Sequence, residues 1–252
     1  MKQVFFIGLI ILVFAGCRER VRELDISMLE LKEGLYYEID GGGVFSGTLV
    51  KKYDDGTPYK RGEVKSGKRE GEWLFYHRNG KLLTKAHYKD GLETGLWQNF
   101  YDNGTLWSEG EFKQGREEGE WKFYCEEGIL RSVGEYRKGR KEGEWKFYFE
   151  NGNIREKGSF ENGKKIGPWK AYSIEGQLLT SGSFKNGSRN GEWKFYGNNG
   201  TLRRKLNLRN GLVHGTVEIY HENGNIRERQ FYVEGKKDGK WELYDEDGNQ
   251  IK

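Results

Sequence analysis

The chain has 252 residues, 33% charged and 35% hydrophobic, with 38 glycines against 2 prolines and a formal charge of +4. So polar and glycine-rich a balance excludes a compact globule with a thick core, and an aromatic share of 15% excludes a disordered chain. The 43 basic and 39 acidic residues look finely interspersed, no basic stripe emerges, and nucleic-acid binding is not expected.

Met1-Lys2-Gln3 is a short basic start, Val4 to Phe14 an apolar run, and Ala15-Gly16 a small-residue site before Cys17. That order reads as a secretory signal. Arg18-Glu19-Arg20 ends the run well short of the ~20 apolar residues that a membrane-crossing helix needs. The segment Phe14-Ala15-Gly16-Cys17 resembles the bacterial lipobox, which implies that 1–16 is a lipoprotein signal peptide and that the thiol of Cys17 carries a diacylglycerol. Arg18 in place of Asp after the Cys resembles the pattern that sends lipoproteins to an outer membrane, where the cell has one. Residues 17–33 are expected as a tether or short helix between the lipid bilayer and the rest of the chain.

From residue 34 to 252 the chain is a repeat array. Gly71, Gly95, Gly119, Gly143, Gly167, Gly191, Gly215 and Gly239 fall 24 residues apart. Two positions after them stand Trp73, Trp97, Trp121, Trp145, Trp169, Trp193 and Trp241, with Val217 the exception. A fixed period of this size means that a small unit, unable to bury its own apolar face, is stacked many times. About nine units are counted, taking Gly47 to Gly56 as a degenerate first copy.

Within a unit, Gly143 to Phe149 alternates in character and runs into Asn151-Gly152; Asn153 to Phe160 returns to Asn162-Gly163. Strand, hairpin turn, strand is the direct reading, with a two-residue type I′ turn at each Asn-Gly. The expected fold is all-β: an elongated, single-layer, twisted antiparallel meander of 24-residue hairpins without a helical domain. Alternation puts Trp145, Phe147, Ile154, Gly158 and Phe160 on an aromatic face and Glu144, Lys146, Tyr148, Arg155 and Lys157 on a charged one. Gly110, Gly134, Gly158 and Gly182 leave bare backbone on which a neighbouring Trp ring is expected to lie flat. Asp245-Glu246-Asp247-Gly248 reads as an end cap that discourages edge pairing.

The unit Gly-x-Trp-Lys-Phe-Tyr, then Asn-Gly, Leu or Ile, and Gly-x-Phe, as in residues 143–160, resembles the bacterial variant of the MORN repeat over residues 34 to 252. Gly34-Leu35-Tyr36-Tyr37 and Phe45-Ser46-Gly47-Thr48 resemble its lead-in. The resemblance implies a protein-interaction or membrane-associated scaffold; members are often labelled YwqK-type antitoxins of toxin-antitoxin systems. It brings no catalytic residues.

No chemistry is legible besides. His77, His87, His214 and His221 look placed at unrelated repeat positions without ligand spacing, and Cys125 has no motif around it. Glu117-Glu118 and Glu126-Glu127 fall in turns as solvated pairs. No catalytic residue, metal or cofactor is expected. The candidate surface is the Trp ladder, Trp73, Trp97, Trp107, Trp121, Trp145, Trp169, Trp193 and Trp241, with Tyr124, Tyr148 and Tyr196 on the other face. It serves either as packing between units or as a site for a partner. The resulting expectation is a non-catalytic scaffold, anchored in the cell envelope through Cys17, for another protein. A glycan- or peptidoglycan-binding module acting through the Trp ladder and an antitoxin are the rival readings.

Overall fold

The computed structural model describes residues 22–239 and 241–251; the segment read as a signal peptide and Cys17, the expected lipidation site, lie outside the described residues. Among the described residues 19 strands form one sheet, with a separate two-stranded sheet beside it. From Gly47–Lys52 to Ile226–Val233 each strand pairs antiparallel with the next in the chain, as the meander requires. A typical unit is the nine-residue strand Arg140–Tyr148 followed by the eight-residue Ile154–Glu161. The described helical residues are the single 3-10 turn Ile26–Met28.

Each bend of the chain has its own physical cause. Gly143, one of the eight 24-residue markers, has φ 63, in the middle of its strand. There the ladder slips, since Gly134 pairs with Trp145 while Glu135 pairs with Glu142. Such a bulge sharpens the local twist and needs a residue free to take left-handed φ. Turns differ from the expectation. At Asn151-Gly152 only the glycine is left-handed, with φ 85, and Gly152 N–H bonds to Phe149 O, giving a type I turn closed by a glycine bulge. The two-residue type I′ turns occupy the other end of each hairpin, at Asn162-Gly163 (φ 50 and 79), and even at Lys138-Gly139 (φ 51 and 78).

Asparagine in the first set serves a different purpose. Asn151 Oδ1 accepts from Asn153 N–H while its Nδ2 donates 2.9 Å to Ile174 O in the next unit. Asn79, Asn103 and Asn223 reach 23 residues forward in the same way. At the other edge Gly163 N–H bonds back to Lys141 O, and Glu142 takes the N–H of Asn162. Consecutive turns are therefore stapled to one another, which fixes the stacking along both edges.

The extra residue in each return strand also moves one row of side chains. Phe147 pairs with Glu156 but Tyr148 with Ile154, so Arg155 is skipped. Parity flips at that bulge. Ile154 and its equivalents, expected beside Gly158 and Phe160, stand with the tyrosines on the charged face.

The stretch expected as a tether is built into the sheet's end from residue 23 onward. Glu23–Asp25 pairs in parallel with Gly47–Lys52, and Leu29–Lys32 forms a hairpin with Leu35–Glu38. Leu29, Tyr36, Phe45 and Leu49 are buried there with Trp73. This is a terminal cap, the element a stacked array needs to close off its apolar end. At the far end Lys236–Lys237 and Glu242–Leu243 both pair with Ile226–Val233.

Candidate functional site

On the aromatic face the rings form one continuous chain. Trp145 meets Tyr136 and Phe160 edge-on at centroid distances of 5.3 and 6.0 Å, and Phe160 meets Trp169 at 5.3 Å. The same alternation runs from Trp73 through Tyr88, Trp97, Phe112 and Trp121, and on through Phe184 to Trp193. Edge-to-face pairs add about 0.5–1.5 kcal/mol each beyond area burial. Cations close the surface from above: Lys141 Nζ lies 4.0 Å from the Trp145 ring centre and Lys165 Nζ 3.8 Å from that of Trp169. Burial lowers the pKa of Lys141, with Lys165 adding to the effect.

Below the rings lies bare glycine. A Cβ at Gly62, Gly110, Gly134, Gly158 or Gly182 would fall under 3.0 Å from the ring of Trp73, Trp121, Trp145, Trp169 or Trp193 respectively. Those five tryptophans are 0–4% exposed, and each donates its Nε1–H to the carbonyl ten residues earlier, as Trp145 does to Glu135 O at 3.1 Å. The array also contains its own exceptions. Where Ala86 replaces the glycine, Trp97 is only partly buried and turns its Nε1 to Asn99 Oδ1. Where Gln230 replaces it, Trp241 is 47% exposed. Where Leu206 replaces it, the Trp position holds Val217, and both are buried.

Of the ladder residues, then, five are packed shut. Trp107, 47% exposed, stands apart from the aromatic chain, being the residue that the bulge between Leu106 and Ser108 leaves unpaired, and its ring neighbours Tyr101. A sugar-stacking use of the ladder is left with Trp107 and Trp241 as half-exposed rings.

One row of the aromatic face is polar. Thr84 Oγ1 donates to Asn99 Oδ1, and Asn99 Nδ2 to Ser108 Oγ, both at 2.9 Å. The first member of that row is Lys60, whose pKa falls to about 8 because burial disfavours its charge, with Arg69 and Lys51 adding repulsion. Lys60→Thr, which copies Thr84 of the following unit, is expected to raise the thermal midpoint at pH 7. A base whose folded pKa lies below its ordinary 10.5 releases its proton more readily when folded, so the wild-type chain gains stability as pH rises from about 8 to 10.5. The variant's advantage is therefore full below pH 8 and fades above it. Melting curves across that range check this, and a pH-independent difference would refute it.

The charged face carries a stripe of tyrosines at 24-residue spacing, Tyr76, Tyr124, Tyr148, Tyr172, Tyr196, Tyr220 and Tyr244, interrupted by Phe100. Tyr124, Tyr148 and Tyr196 are half-buried in it. Tyr124 donates to Glu109 at 3.1 Å and Tyr220 to Glu218 at 2.7 Å. Glu218 is 9% exposed. Burial alone would raise its pKa, yet bonds from Lys205 and Tyr220 hold it below the usual carboxylate value.

His77 and His221, read as unrelated, share one repeat position, where Tyr53 and Tyr101 also stand. Nε2 of His77 donates to Phe100 O and that of His221 to Tyr244 O, both at 3.0 Å, while Tyr53 and Tyr101 donate to Tyr76 O and Tyr124 O. Cys125 occupies the same position, buried and free of a disulfide. Among the described residues no group of three His, Cys, Asp or Glu side chains is arranged to hold a metal.

Folding also sorts the charges that look interspersed in sequence. The eight type I′ turns, from residues 65–68 to 233–236, hold twelve Lys and Arg against three acids. The nine turns of the opposite edge, from residues 53–57 to 245–249, hold eleven acids against Arg78 and Lys81. The signal was present as an alternation of basic and acidic turns every 12 residues, but only the meander places alternate turns on opposite edges.

Five windows of the array, residues 69–90, 93–114, 141–162, 189–210 and 213–234, match the model of the MORN repeat variant. The intervening units, with strands Arg116–Tyr124 and Leu130–Arg137 and strands Lys164–Tyr172 and Leu178–Lys185, have the same strand lengths. Among curated proteins no match is found. Similar solved structures include the crystal structures of TcdB2-TccC3-Cdc42 and TcdB2-TccC3-TEV, each at 13% identity and a TM-score of 0.21 over 88% of this chain. A third is a Photorhabdus luminescens Tc holotoxin pore, at 10% identity and a TM-score of 0.21 over 86% of this chain. The chain spans 14% of each of those chains.

Proposed function

We propose that the array is a non-catalytic scaffold that holds another protein against its charged face and is carried in the bacterial cell envelope by lipid on Cys17. The supporting observation is the tyrosine stripe. With Trp73, Trp121, Trp145, Trp169 and Trp193 occupied in packing, the half-buried or exposed rings still offered to a partner include Tyr124, Tyr148, Tyr196 and their equivalents, together with Trp107 and Trp241. Rigid aromatic side chains with a polar tip are favoured at protein interfaces because they contribute large contact area at little entropic cost. Carboxylates such as Glu109 and Glu218 hold two of these hydroxyls in place before any partner arrives, which lowers the cost of binding. The anchor rests on the sequence of residues 1–17, where apolar run, small residues and Cys stand in the order of a lipoprotein signal.

A photo-crosslinking amino acid at position 148 or 107, compared with one at 147 on the aromatic face, tests the scaffold in intact cells. Discrete adducts from 148 and 107 with little from 147 are expected. Adducts from 147 alone, or from none of the three, would overturn the reading. Acyl labelling of the native chain against Cys17→Ala tests the anchor separately. Rescue of growth by a chain lacking residues 1–16, beside a toxin encoded next to it, would favour the antitoxin reading instead.

A further inference from the structure

The two long edges of the ribbon carry opposite charge. On one, Lys113-Gln114-Gly115-Arg116 and Arg137-Lys138-Gly139-Arg140 are successive turns; on the other, Cys125-Glu126-Glu127-Gly128 and Phe149-Glu150-Asn151-Gly152 are. Arg116, Arg137, Lys138 and Arg140 are exposed, and no described carboxylate forms an ion pair with them. They line a cleft of about 410 Å³ between adjacent turns, together with Glu142 and Asn162. Glu142 is already engaged with the N–H of Asn162.

We propose that copies of this chain associate side by side, the basic turn edge of one lying along the acidic turn edge of the next. The spacing argues for a second copy over any other acidic partner. Turns recur once per two strands on both edges, about 9.6 Å apart at the usual strand separation, so acidic tips of one copy meet basic clefts of another in step along the ribbon. Because a sheet twists from strand to strand, the match is used over the few neighbouring turns that face each other. An unrelated acidic surface would have to reproduce the pitch by accident.

The sign pattern also fixes the geometry. A two-fold dimer made along an edge would bring like charges together, so the contact is heterologous and builds open rows. Each exposed ion pair contributes only about 0–1 kcal/mol, but several engaged at once on rigid supports act as one multivalent contact. Neither the tyrosine face nor Cys17 takes part, so the inference stands apart from the proposed scaffold role.

The test uses the full chain in a nonionic detergent, prepared with two different tags. Co-capture of the two forms is expected at about 0.05 M salt and is expected to fall at least tenfold at about 0.5 M, where screening shortens the reach of exposed charges to a few ångströms. The triple variant Arg116→Glu, Arg137→Glu, Arg140→Glu is expected to lose capture of itself, as is Glu126→Lys, Glu127→Lys, Glu150→Lys. Mixing the two variants is expected to restore it, which also shows that both are folded. A wild-type chain that stays single at low salt, capture indifferent to salt, or a mixture no better than its parts would overturn the inference. So would retention on anionic vesicles or on an acidic polymer by a chain that never captures itself.

Discussion

Gly158→Val is expected to expel the Trp169 ring and to lower the thermal midpoint by roughly 10 °C. The first atom added at residue 158 falls within the space of the indole, and the backbone there is held on both sides, Gly158 pairing with Trp145 of one neighbouring strand and Trp169 of the other. Trp169 is 2% exposed, and losing such a ring from a packed site costs about 3–5 kcal/mol; at about 2–4 °C per kcal/mol for a chain of this size, a shift of that order results. Gly158→Ala is expected to cost less, because Ala86 shows how the array accepts one methyl group: the ring slides outward and its N–H finds a side chain. The indole emission should shift to the red in both variants, more strongly for Val. Gly152→Ala is the control, since its Cβ meets nothing and only its φ of 85 is at issue, for a cost near 1 kcal/mol. A Val variant melting within about 2 °C of wild type would show that the ring does not depend on the bare backbone.

What the sequence made legible was whatever repeats in register. The 24-residue glycines, the Trp two positions on and the bare Gly158 row all report steric demands that allow one residue type, so their pattern survives in sequence. What it hid depends on hydrogen bonds and parity. Asn151-Gly152 and Asn162-Gly163 look alike as dipeptides, yet the first closes a three-residue loop and reaches into the next unit, while the second forms the two-residue turn. The skipped Arg155 reverses the facing of Ile154, and nothing in its own identity announces that. His77 and His221 share a phase that becomes visible only once Tyr53 and Tyr101 are seen bonding the equivalent carbonyls. Trp107 matches the ladder in residue type but not in phase, and phase decides which face it joins.

Leu206 and Val217 suggest a stricter test of the same packing rule. In that unit the bare glycine has become Leu and the ring has become Val, so volume has moved from one side of the contact to the other. Grafting the exchange onto the preceding unit gives a double-mutant cycle. Gly182→Leu alone places a side chain inside the Trp193 ring and is expected to cost upwards of about 3 kcal/mol. Trp193→Val alone leaves a cavity above Gly182, at about 3–5 kcal/mol. Together they are expected to cost far less than the sum, with a coupling of about 2–3 kcal/mol measured by denaturant unfolding. Full recovery is not expected. The native pair is surrounded by Leu208, Val213 and Ile219, where the grafted pair would meet Phe184 and Phe195, so a residual cost of about 1–2 kcal/mol remains until those are changed too. Costs that add within about 0.5 kcal/mol would mean that glycine and ring are independent, and that stacking of units rests on something other than this contact.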